Sequence, residues 1–144
     1  MKVGETMTPF SDVYARFLSK ITDYDFLTLE EEDLEAELFL RLQETLGKLP
    51  MLDLELHSET QTFSRSLTSF EKSWFAQGML ASYLESKVYH LSNMRNHFSS
   101  KDFNVFSAAN HLKQMIELHR YADEEFTHLT NQYLIYQVKE GLKR

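Results

Sequence analysis

Apolar residues fall three and four apart along most of this chain, the spacing that gathers them on one side of a helix. The longest such run extends from Ser107 to about Val138 and contains neither Pro nor Gly. Its predicted buried face is Leu112, Met115, Ile116, His119, Ala122, Phe126, Leu129, Tyr133 and Tyr136. Past Tyr133 the one-sided pattern stops, because Tyr133, Leu134, Ile135, Tyr136, Val138 and Leu142 encircle the axis. A helix apolar on every side calls for cover on every side. About 32 residues of helix span roughly 48 Å, against a diameter of about 37 Å for a compact domain of this length. The pattern predicts an apolar helix end that outruns its own globule. Such an end docks on a partner, bends back on its own bundle, or frays.

The rest of the chain reads as three shorter helices and one irregular stretch. Thr8-Pro9 predicts an N-cap followed by proline at the first helical position. Phe10, Val13, Tyr14, Phe17, Leu18 and Ile21 then form a stripe, and Asp23-Tyr24-Asp25 reads as a turn. Thr28-Leu29-Glu30-Glu31 has the spacing of a capping box. Leu34, Leu38, Leu42 and Leu46 carry that second helix until Gly47 and Pro50 stop it. Residues 51–56, MLDLEL, alternate with a strand-like period of two. A lone strand in a helical chain has nothing to pair with, so 50–66 is expected as an extended loop or as an edge segment pairing with a neighbouring subunit. Thr68-Ser69-Phe70-Glu71 is a second capping box. It opens a helix to about Asn93, with Phe70, Trp74, Phe75, Met79, Tyr83 and Leu91 as core and Gly78 admitting a close neighbour. Asn96 to Phe106 is a polar connection, with Ser107 capping the last helix. The expected fold is all-α: a four-helix, bundle-like single domain over 1–144, with a long C-terminal helix, an irregular 50–66 segment and 133–144 as a docking extension.

Composition agrees with this and removes several functions. With 144 residues, eleven Phe, seven Tyr and one Trp, one domain can bury a substantial core. Two Pro and four Gly are too few for the turns of an all-β fold. There is no Cys, which excludes disulfides and thiolate zinc sites. The start, MKVGETMTPF, has no apolar signal region and no apolar run approaches membrane-spanning length. A soluble, unexported protein with no membrane partner is expected.

The net charge of −7 is uneven. Residues 1–60 hold five Lys/Arg against fourteen Asp/Glu, and residues 61–144 hold ten against eight. Glu30, Glu31, Glu32, Asp33, Glu35 and Glu37 make the densest cluster. It reads either as a solvated helix face or as a functional acidic surface, and it opposes specific nucleic-acid binding, which needs clustered cations. Lys139, Lys143 and Arg144 end the chain. They either complement the negative end of the last helix or help it dock on an acidic partner.

Catalytic signals are sparse. Glu125-x-x-His128 has the spacing of half a ferritin-like di-iron site, but no second E-x-x-H exists, and Glu71 and Glu85 could supply only lone carboxylates. Phe126 and Leu129 on the buried face turn Glu125 and His128 outward. His111 and His119 flank Met115, with His119 expected partly buried. No nucleophile elbow, phosphate loop or dinucleotide fingerprint is present. The chain is expected to be no enzyme and to hold no metal or cofactor.

Three segments carry a family resemblance: FLSKITDYDF (17–26), SLTSFEKSWFAQGMLASYL (66–84) and KDFNVFSAANHLKQMIEL (101–118). Over about residues 10 to 136 the chain resembles the small helical connector proteins, also called adaptor or head-completion proteins, of the head–tail junction of long-tailed bacteriophages. The shared elements are an amphipathic first helix ending in I-x-D, an L-T-x-x-E helix entry and an S-A-x-N-x-L opening of the last helix. The resemblance implies a ring of about twelve subunits beneath the portal protein, extending the DNA channel and receiving a tail-completion protein. It implies a place in the virion neck, with synthesis in the host cytoplasm. It gives the partner-docking role to Tyr133, Leu134, Ile135, Tyr136, Val138, Leu142, Lys143 and Arg144. Glu30 to Glu37 would then line the channel, where like charge keeps DNA sliding, or face the outer wall. The other reading is a helical regulatory module that binds another protein through the same C-terminal helix.

Overall fold

A computed structural model describes residues 6–21, 29–49, 53–97 and 105–142. Its described elements are α1 (Phe10–Leu18), α2 (Glu31–Gly47), β1 (Leu56–His57), β2 (Thr62–Phe63), α3 (Ser69–His97) and α4 (Val105–Leu142). The chain is mainly α-helical, as its pattern predicts, and no described helix is long and apolar enough to cross a membrane. The chain divides into two compact units, Met1–Leu80 and Ala81–Arg144. The boundary falls inside the unbroken helix α3.

The first unit corrects two local expectations. Thr8 is not the N-cap of α1: Pro9 occupies that position, in extended backbone and without a side-chain cap. Residues 8 and 9 instead act as a short strand. The Thr8 amide donates to the Arg65 carbonyl at 3.3 Å, and the Phe63 amide donates to the Thr8 carbonyl at 2.9 Å. Pro9 bridges Thr62 in antiparallel fashion, a place where its missing N–H costs nothing. The second correction concerns 50–66. Leu56–His57 pairs with Thr62–Phe63 of the same chain, so the end of the alternating stretch finds a partner locally and the segment is not a plain loop throughout. Residues 50–52 lie outside the described residues, and within MLDLEL only Leu56 belongs to a strand. The sequence hid the partner because β2 is just two residues long. The hairpin turn closes with Gln61 in left-handed backbone (φ 57°), and the Gln61 carbonyl accepts from the Phe10 amide at 2.8 Å. The hairpin thus satisfies one of the free amides at the start of α1.

The Thr8 hydroxyl has its own task, accepting from the buried Leu67 amide at 2.8 Å. Thr8→Val keeps the shape and removes that acceptor. It should cost about 1–3 kcal/mol, the range for stranding a buried amide, measured as a shift in urea midpoint.

An aromatic chain fills the centre of this unit. Phe63 is fully buried, with its ring 5.1 Å from Phe10 in edge-to-face contact and 5.2 Å from Phe75. Phe10 also meets Phe39 at 5.7 Å, and Trp74 meets Phe75 edge-on at 4.9 Å. The two-residue strand therefore delivers one ring that ties α1 to α3. Across the surface, Arg16 of α1 donates to the Ser69 carbonyl at 2.9 Å and the Ser73 hydroxyl at 2.8 Å at the start of α3.

Helix α2 begins later than expected. Glu30 is its N-cap, without a side-chain cap bond; Thr28 and the Asp23–Asp25 turn lie outside the described residues. Leu38 and Leu42 are buried and Leu34 and Leu46 half-buried, as the i+4 leucine spacing requires. The second capping box is present in full. The Glu71 amide donates to the Thr68 hydroxyl at 3.1 Å, and the Thr68 amide donates to Glu71 Oε1 at 3.0 Å.

In the second unit, α3 continues to His97, past Asn93, and α4 begins at Val105. Ser107 is therefore inside the helix and is not its cap. Helix α4 has 38 residues, about 57 Å. Leu112, Ala122 and Phe126 are buried and Met115, His119, Leu129 and Tyr133 half-buried. These seven alternate steps of three and four, the narrow seam of coiled-coil packing. Ile116 and Tyr136, expected on that face, are exposed, because the buried stripe is narrower than a full amphipathic face.

Candidate interaction surfaces

Burial on the α4 seam fades at Tyr133, and the helix continues nine residues beyond it. There the exposed fractions are 37% for Leu134, 56% for Ile135, 58% for Tyr136, 62% for Val138 and 81% for Leu142. Steps of four place Leu134, Val138 and Leu142 in one row, with Ile135 beside them, on the side of the helix away from the seam. Upstream the same side of the helix is mainly polar, with Arg120, Glu124, Thr127 and Asn131, and also holds the exposed Ile116. The helix end therefore gathers exposed apolar residues more densely than the rest of α4, where Ile116, Leu118 and Tyr121 are also exposed. Tyr133 is half-buried and already engaged, so it belongs to the seam more than to this stripe. Lys139 is exposed one turn after Ile135. Lys143 and Arg144 lie outside the described residues.

The acidic cluster is less uniform than its sequence. Glu30, Glu31, Glu32, Asp33 and Glu35 are exposed. Glu37 is half-buried and accepts from Arg41 Nε at 2.9 Å. Arg41 is itself buried and also reaches Glu44 at 3.4 Å, so Glu37 is neutralised and leaves five free-facing acids. The sequence reading missed what lies beside them. Leu40 is exposed, on the side of α2 opposite the Leu38–Leu42 stripe. Ala36, Gln43 and Gly47 share its face and are exposed too; a side chain at Gly47 would meet nothing within 4 Å. The signal was available, since Leu40 sits two residues from both Leu38 and Leu42, but the i+4 leucine run masked it.

Glu125 and His128 both face solvent, as the burial of Phe126 dictates. His111 is exposed and His119 half-buried. Among the described residues no group of three His, Asp or Glu is placed to hold a metal ion. Comparison of the chain with protein-family models, curated proteins and solved structures yields no match.

Proposed function

We propose that this chain is a non-enzymatic assembly subunit of the phage head–tail connector type, forming a ring that joins portal to tail-completion protein and extends the DNA channel. One observation supports it above the others: the exposed Leu134–Ile135–Val138–Leu142 stripe beyond the buried seam of α4. Isolated apolar residues on a surface need no explanation, whereas a stripe on one helix face is the form of a helix-docking site. The resemblance of residues 17–26, 66–84 and 101–118 to connector proteins supplies the kind of assembly. The five exposed acids at the N-cap and first turns of α2 suit a wall past which DNA slides without sticking.

Deleting 134–144 tests this reading. The shortened chain keeps Tyr133 and the whole seam, so it should retain its helical circular dichroism and its unfolding midpoint within about 0.5 kcal/mol while losing self-association in light scattering. If it unfolds, the segment is core; if it assembles like the full chain, the docking role is wrong.

A further inference from the structure

We draw no further inference here: the strongest candidate, the exposed apolar end of α4 from Leu134 to Leu142, carries nothing beyond the docking role already proposed, because nothing in the structure shows what covers it.

Discussion

Phe63→Ala is expected to cost about 3–5 kcal/mol, the range for emptying a buried phenylalanine site. The effect should be at the upper end, because this ring does more than fill volume. It is the one large side chain of β2, and it lies against Phe10 and Phe75 at 5.1 and 5.2 Å. Without it the hairpin keeps its ladder bonds yet loses its anchor, and residues 8 and 9 lose the strand they pair with. Loosening that pairing also frees the Phe10 amide from the Gln61 carbonyl. The chain has a single tryptophan, Trp74, 4.9 Å from Phe75 in the same unit, so its fluorescence reports this unit during urea unfolding. A midpoint change worth under about 1 kcal/mol would show that the hairpin stands without its aromatic anchor.

Glu71→Ala should be nearly as damaging, at about 2–4 kcal/mol. Glu71 is buried and holds a two-pronged bond with Arg65, at 3.0 and 2.6 Å, besides capping α3. Removing it strands the Thr68 amide and leaves the Arg65 guanidinium with the Ser66 carbonyl but without its carboxylate. Arg65 is itself half-exposed, and water recovers part of the loss. Burial alone would raise the Glu71 pKa, but the Arg65 hydrogen bonds, the Thr68 amide and the Arg65 charge together lower it. The sign follows from linkage. A carboxyl with a lowered folded pKa binds fewer protons folded than unfolded, so its stabilisation is complete above the unfolded value of about 4.3. It disappears as pH falls through the folded value. Acid titration of the unaltered chain should therefore show a loss of stability in that window which Glu71→Ala lacks. Parallel acid profiles for the two proteins would contradict the pairing.

Where single residues carried a self-contained device, the sequence was a sufficient guide. Thr68 and Glu71 make their capping box within four residues, and a 3-4 seam repeats often enough along α4 to survive two misassigned positions. Expectations failed where the partner was distant. Thr8 read as a cap because Thr before proline is a helix-start signal, and nothing local reveals that Arg65 and Phe63 will bond its backbone. The hairpin was invisible for the same reason. At the surfaces, the exposed end of α4 was legible because apolar residues that circle an axis need cover on every side, which one packed seam does not give. The signal at Leu40, two residues from both Leu38 and Leu42, was there as well, but the i+4 leucine run masked it. The Glu37–Arg41 pair was readable too, since opposite charges four apart meet on a helix, and it went unread.

The central claim is self-assembly through surface contacts of a folded subunit, and native mass spectrometry of the full-length protein, purified without chelators, addresses it most directly. The account predicts a closed, metal-free oligomer of about twelve copies. A protein that remains monomeric across the accessible concentration range would contradict it.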